Sequence, residues 1–331
     1  MTLRLIQIIS HDGQRQLLAG NDDGSAQVVM GVTTTYELAQ AAIAAGLSLA
    51  EAVEKQGLGE AVDVALALAE QRVLAPISHP DPSHLHVTGT GLTHLGSAEG
   101  RDKMHKAAAS AEKPTDSMRM FLMGVEGGKP GDGETGVQPE WFYKGNGHTL
   151  AGPGADLVSP AFAEDGGEEP EIAGIYVIGP DGAPIRLGYC LANEFSDHVV
   201  EKQNYLWLAH SKLRPAALGV EILTGTLPAH VEGVSRIWRG NDVLWEKPFI
   251  SGEDNMSHSL ANLEHHHFKY GLFRQPGDIH VHCFGTATAS FADGVKTQAG
   301  DVFEITAEPF RYGLRNRLEA ATAEPVAVKA L

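Results

Sequence analysis

Cysteine is scarce in this 331-residue chain: Cys190 and Cys283 are its only two, in strand-like surroundings and without CxxC spacing. That excludes a disulfide framework and a thiolate zinc site, and it points to a reducing compartment, so a cytoplasmic location is expected. Positive charge is also short. Lys and Arg total 25 against 42 Asp and Glu, a formal net charge of −17. Such a chain repels phosphate backbones and anionic lipid headgroups, so neither nucleic acid nor a membrane is an expected partner. No run approaches the roughly 18 apolar residues of a spanning helix. Leu5-Ile6-Gln7-Ile8-Ile9 is too short for a secretion signal and has no small-residue cleavage site after it. A GxxxxGK[ST] loop is missing too, which excludes a P-loop phosphate cradle.

What remains is an ordinary globular composition, 43% hydrophobic and 20% charged, in a length that suggests roughly two domains. Residues 3–9 read as a strand, with hairpin turn residues at His11-Asp12-Gly13 and Asn21-Asp22-Asp23-Gly24. From Thr35 to Val73 the text turns Ala/Leu/Glu-rich, with two or three helices separated by Gly46 and by Gly57 to Gly59. The prolines at 76, 80 and 82 then mark a boundary near residue 78. The expectation is a small α/β domain over 1–78 and a β-rich, catalytic-sized domain over 79–331. In the second, helical text is limited to 99–112, 199–209 and 256–269. Residues 124–136 and 145–154 read as long Gly-rich loops, and 320–331 as a short helix or frayed tail.

The informative segment is Glu169-Pro170-Glu171-Ile172 through Ile178, a Gly179-Pro180-Asp181-Gly182 turn, and Ile185 through Glu194. It reads as a β-hairpin. Pairing Ile178 with Ile185 places Glu169 opposite Glu194 and Glu171 opposite Ala192. Glu169 and Glu171, two apart on an extended chain, leave the same face. Three carboxylates then converge at the open end, where their mutual repulsion calls for a cation. An all-oxygen, histidine-free set selects a hard divalent ion, Mg²⁺ before Mn²⁺ or Ca²⁺.

With its flanks, this segment resembles the fumarylacetoacetate hydrolase superfamily. The ordered text is Pro139-Glu140-Trp141-Phe142-Tyr143-Lys144, Glu169-Pro170-Glu171, Gly188-Tyr189 with Asn193-Glu194-Phe195-Ser196, Ser211-Lys212 and Gly285-Thr286. The resemblance covers residues 84 to about 315. It implies a mixed β-sandwich roll behind the small N-terminal domain, an α+β, mainly β fold, and a homodimer or higher homo-oligomer. It also implies that Glu169, Glu171 and Glu194 hold the metal, Glu194 standing where the family usually has Asp. Within the superfamily the text is most similar to the dehydratases of 2-keto-3-deoxypentonates. The hydrolases carry a His and a Glu that activate water; here Ser97 and Gly100 stand at those places, with His94 and Glu99 displaced. Glu140 and Lys212 match the dehydratase acid/base positions, leaving open which takes the C3 proton. Lys144, Ser211, Gly285 and Thr286 match substrate contacts, and His198 stands where the family often has Arg.

The resemblance therefore implies a Mg²⁺-dependent hydro-lyase of arabinose-type pentose catabolism, acting on a small-molecule 2-keto acid. Its substrate would be 2-keto-3-deoxy-L-arabinonate and its product 2-oxoglutarate semialdehyde. Two alternatives stand beside it: a hydrolase of acylpyruvate-type carbon–carbon bonds, and a silent sugar-acid-binding protein. A rival site is offered by His265-His266-His267 and His280-Val281-His282, but consecutive helical histidines diverge by about 100° each and are set aside. The tryptophans at 141, 207, 238 and 245 read as core or subunit contacts.

Overall fold

A computed structural model describes residues 2–96, 115–131 and 133–331. It is an α+β fold dominated by strands, and everything said below of elements and absences concerns the described residues. A twelve-stranded mixed sheet runs in the order β4, β3, β2, β1, β12, β10, β9, β15, β5, β6, with β11 and β7 joined beside β10. Its strands are β1 (Arg4–Ile9), β2 (Arg15–Gly20), β3 (Ala26–Val29), β4 (Leu58–Ala61), β5 (Leu85–Gly89), β6 (Phe142–Asn146), β7 (Leu150–Ala151), β9 (Pro170–Ile178), β10 (Pro184–Asn193), β11 (Ala216–Leu218), β12 (Glu221–Leu223) and β15 (Ile279–Cys283). A five-stranded sheet packs against it in the order β14 (Asp242–Ser251), β13 (Val231–Arg239), β16 (Val302–Ala307), β17 (Leu314–Ala320), β8 (Leu157–Ser159).

Three helices fall in the Ala-rich text, α1 (Thr35–Ala45), α2 (Leu49–Gln56) and α3 (Val64–Ala69). Thr34 with Glu37 and Ser48 with Glu51 form complete capping boxes on the first two. Strands β1 to β4 are part of the large sheet, because β1 pairs with β12 through Leu5 and Ile222. Later helices are α4 (Asp116–Gly127), α5 (His198–Gln203), α6 (Leu208–Lys212) and α7 (Leu260–Phe268). The helix expected over 99–112 lies outside the described residues. Helix α4 corrects the reading of 124–136 as loop throughout. Gly124 is helical there, and a Cβ on it would meet His258 Nε2 at 2.6 Å, so this glycine answers a close approach rather than a turn. Residues 321–331 form no helix, and 322–331 are exposed.

Strand β9 is buried from end to end because both faces of the large sheet are covered. Ala173, Ile175 and Val177 join Cys190, Ala192, Ile279, Val281 and Cys283 in one core, closed by Leu38 and Val53 of the helices. Ile172, Tyr189 and Leu191 enter a second core against Phe249, Phe303 and Leu318 of the smaller sheet. Strict alternation thus divides the hairpin between two cores. Its register differs from expectation at the turn. Pro184 faces Ile178 and Ile185 faces Val177, one residue off; a bulge between Arg186 and Gly188 takes up the extra residue. Beyond it Ala192 faces Glu171 as expected, and Glu194 N–H donates to Glu169 C=O at 3.0 Å.

Candidate active site

Alternation fixes where the carboxylates go. Glu171 lies two residues from Ala173, and Glu194 two from Ala192, so both emerge on the face of the first core at its open end. Glu169, Glu171 and Glu194 bring one carboxylate oxygen each to within 4.8 Å of one another. Lys212, at the end of α6, places Nζ 2.6 Å from Glu169 Oε1, 3.0 Å from Glu194 Oε2 and 3.2 Å from Ser196 Oγ. His198 Nε2 is 3.0 Å from the same Glu169 oxygen, and its Nδ1 is 3.2 Å from Asp165. Its ring stacks on Phe291. Lys144, with a fully buried side chain, pairs with Glu194 Oε1 at 2.8 Å.

The three carboxylates differ in charge environment. Burial would raise Glu169, but Lys212 and His198 overcome it and hold it well below the usual range. Glu171 is pushed well up, by burial first and then by the charges of Glu194 and Glu169. One of its oxygens accepts from Gly285 N–H at 2.8 Å. The other, Oε1, is buried with no hydrogen-bond partner, and such an orphan is costly unless a cation or water completes it. An oxygen-only trio with an orphaned acceptor fits a hard divalent cation, with Glu169, Glu171 and Glu194 as the residues that would hold it.

Glu140 stands apart from the trio. Burial raises its carboxyl to about 7, with a hydrogen bond from Tyr205 and the charge of Lys212 pulling the other way. Tyr205 OH donates to Glu140 Oε2 at 2.8 Å, and Oε1 lies against Gly91, where a Cβ would come within 1.9 Å. Glu140 and Tyr205 line a cavity of about 240 Å³ with Trp141 and Leu208. Tyr205 also borders a second cavity of about 370 Å³ beside His198 and Glu201. A larger cavity, about 740 Å³, opens between Arg15, Glu37 and Gly152; it contains none of these carboxylates.

Three expected substrate contacts are placed otherwise. Lys144 donates to Phe195 C=O, Lys212 C=O and Glu194, so its three ammonium protons are all engaged by protein. It is a counter-ion inside the fold. Ser211 Oγ donates to Leu208 C=O at 2.7 Å, one turn back in its own helix. Gly285 N–H is taken by Glu171. Thr286 Oγ1 accepts from Thr288 N–H and keeps its own proton to give. His94 is buried, bonded to Ser251 Oγ at 2.9 Å and held neutral by burial, its pKa lowered to about 3. Ser97, Glu99 and Gly100 lie outside the described residues. Sequence reasoning missed Tyr205, for which no motif gave a signal, and the bridge from Asp165 through His198 to Glu169. Ser196 could have been found, since it closes the Asn193-Glu194-Phe195-Ser196 run.

No protein-family model matches the chain, and no curated protein matches it. Solved structures do. A 2-keto-3-deoxy-D-arabinonate dehydratase in its apo form aligns at TM-score 0.69 and 19% identity, covering 97% of this chain and 100% of that one. The same dehydratase complexed with magnesium and 2,5-dioxopentanoate gives the same figures. A 5-carboxymethyl-2-hydroxymuconate delta-isomerase from Mycobacterium smegmatis aligns at TM-score 0.56 and 19% identity, with 97% and 100% coverage. The fold is therefore of the fumarylacetoacetate hydrolase type, as the motif order implied.

Proposed function

We propose that this chain, sharing the fold of those enzymes, is a divalent-metal-dependent hydro-lyase that removes water from a 2-keto-3-deoxy sugar acid, with 2-keto-3-deoxy-L-arabinonate as its substrate. The observation that carries the reading is one juxtaposition: three convergent buried carboxylates, an ammonium at their edge and a separate carboxyl held near neutrality. The dehydration is supported by the similar 2-keto-3-deoxy-D-arabinonate dehydratase that holds magnesium and 2,5-dioxopentanoate, which is the semialdehyde such a reaction yields. A Mg²⁺ ion held by Glu169, Glu171 and Glu194 would supply Lewis-acid polarisation of the 2-keto oxygen, acidifying the C3 protons.

The chain's own groups divide the proton work. Glu140, with its pKa raised to about 7, is half deprotonated near neutral pH and suits the acceptor of a C3 proton. Lys212 retains an ammonium between Glu169 and Glu194 and suits the donor to the departing C4 hydroxyl. Loss of that proton and hydroxyl leaves an unsaturated acid that tautomerises to the semialdehyde. Lys144 is the buried counter-ion of Glu194 and His198 holds Glu169 in place. The Thr286 hydroxyl is the free donor for the substrate carboxylate.

The test is incubation of the purified chain and Mg²⁺ with a panel of 2-keto-3-deoxy acids and acylpyruvates, following semialdehyde and pyruvate separately. Semialdehyde release supports the reading; pyruvate release assigns a carbon–carbon hydrolase, and binding without turnover a silent receptor. Lys212→Met should keep exchange of C3 deuterium with solvent while losing elimination, whereas Glu140→Gln should lose both. The opposite pattern exchanges the two roles.

A further inference from the structure

The face of the large sheet opposite the carboxylates is lined with imidazoles. Strand β15 sends Ile279, Val281 and Cys283 into the first core and His280 and His282 to the other side. Parallel pairing sets His280 beside His86 of β5 and His282 beside Thr88. Of the consecutive trio on α7, His265 is exposed, His266 bonds Gly136 C=O, and only His267 reaches this layer, with Nε2 2.9 Å from His280 Nδ1. Asp278, just before β15, lies 3.3 Å from His86 Nε2 and 2.7 Å from His84 Nδ1.

Three ring nitrogens of this layer, His86 Nδ1, His280 Nε2 and His282 Nε2, are buried without a hydrogen-bond partner, and donor bookkeeping shows how the one on His280 arises. The Trp141 indole can only donate, and it does so to His267 Nδ1 at 3.2 Å. His267 therefore carries its proton on Nε2 and gives it to His280 Nδ1. His280, wholly buried, is left with Nε2 without a partner. His280 itself belongs to a group in which His280, His86 and Asp278 each offer one ligand atom, all within 4.8 Å of one another. The 3.3 Å between His86 and Asp278 is the separation of two donors that each lie about 2.0–2.1 Å from one tetrahedral ion. Burial, with His267 adding to it, keeps His280 neutral; its proton then sits on Nε2, and ligation through that atom requires the ring to change tautomer. His84 is about half exposed and forms the solvent rim of the group.

We infer that His86, Asp278 and His280 form a second metal site, selective for a borderline divalent ion such as Zn²⁺ and separate from the carboxylate trio. Two imidazoles and one carboxylate favour such ions over Mg²⁺, which prefers oxygen throughout. Occupancy has a built-in reporter. A metal on His280 Nε2 moves that ring's proton to Nδ1, which then donates to His267 Nε2. His267 in turn takes its proton on Nδ1, and the bond from Trp141 ends.

The experiment titrates Zn²⁺ into the chelator-stripped full-length chain in excess Mg²⁺, by calorimetry and by tryptophan fluorescence. One equivalent should bind to wild type and to Glu171→Gln. Affinity should fall about tenfold or more in both His86→Gln and Asp278→Asn, two variants that guard against one failing to fold. Trp141→Phe should keep the equivalent and lose the fluorescence change. Co²⁺ in place of Zn²⁺ should give visible absorption that His86→Gln removes and Glu171→Gln does not. The inference is overturned if Zn²⁺ does not bind, if excess Mg²⁺ or Glu171→Gln removes it, or if His86→Gln and Asp278→Asn leave it unchanged.

Discussion

Glu140→Gln is expected to yield a protein that is inactive and more stable. In the folded chain burial holds this carboxyl at about 7 against an ordinary 4.5. Below about pH 4.5 it is protonated in folded and unfolded chains alike and costs nothing. As pH rises the unfolded chain releases the proton first, so stability falls through the window from 4.5 to 7 and stays lower above it. The difference is worth about 3 kcal/mol at pH 8. Glutamine carries no charge to desolvate, so urea unfolding of wild type and variant should coincide near pH 4.5 and separate by up to about 3 kcal/mol at pH 8. Turnover should fall by about 10²–10⁴. Tyr205→Phe supplies the companion. Removing the 2.8 Å hydrogen bond that favours the carboxylate raises Glu140 further. A rise of about one pH unit, reasonable for a bond at a half-exposed phenol, takes the deprotonated fraction at pH 7 from about a half to about a tenth. Activity should then drop about fivefold at pH 7 and recover on the alkaline side. A stability gap that is the same at pH 5 and pH 8, together with an unmoved pH profile in Tyr205→Phe, refutes the assignment.

Glu171→Gln should abolish turnover with the fold intact and weaken Mg²⁺ binding, and EDTA should inactivate the wild type reversibly; full activity at limiting Mg²⁺ sinks the metal trio. Lys144→Met strips the buried counter-ion from Glu194 and should cost about 3–5 kcal/mol in urea unfolding, whereas a midpoint within error of wild type would show that Lys212 alone neutralises Glu194. Gly91→Ala drives a methyl into Glu140 Oε1, so kcat should fall with little change in the circular dichroism spectrum; an unaffected kcat means Glu140 can work from another position.

Much of the site was legible because it obeys period two. Glu169, Glu171 and Glu194 sit at hairpin positions whose face follows from alternation, and Ala192 does face Glu171. The order of motifs added the fold. What could not be read was where donors are spent. Lys144, Ser211 and Gly285 each look available in sequence, yet Phe195, Leu208 and Glu171 take their hydrogens, and only three-dimensional proximity decides that. The same holds for His198, whose link to Glu169 depends on the entry into α5, and for the imidazole layer, which needs β5 and β15 side by side although 194 positions separate His86 from His280. Helix α4 was missed for a related reason: glycines that pack closely and glycines that break helices look alike in one dimension.

The hairpin bulge between Arg186 and Gly188 makes the ligand-bearing end and the turn two independent modules. On the turn side, Gly179 and Ala183 close a tight loop in a register of its own; on the ligand side, a different register is locked between two cores. A change of loop length at 179–183 has somewhere to be absorbed before it reaches Glu171 or Glu194. For protein engineering this is an insertion point: a tag, a sensor domain or a longer loop could be grafted at residues 180–182 without retuning the chemistry. Removing the single residue Leu187 would abolish that insulation, coupling every edit of the loop to the opposite end of the hairpin.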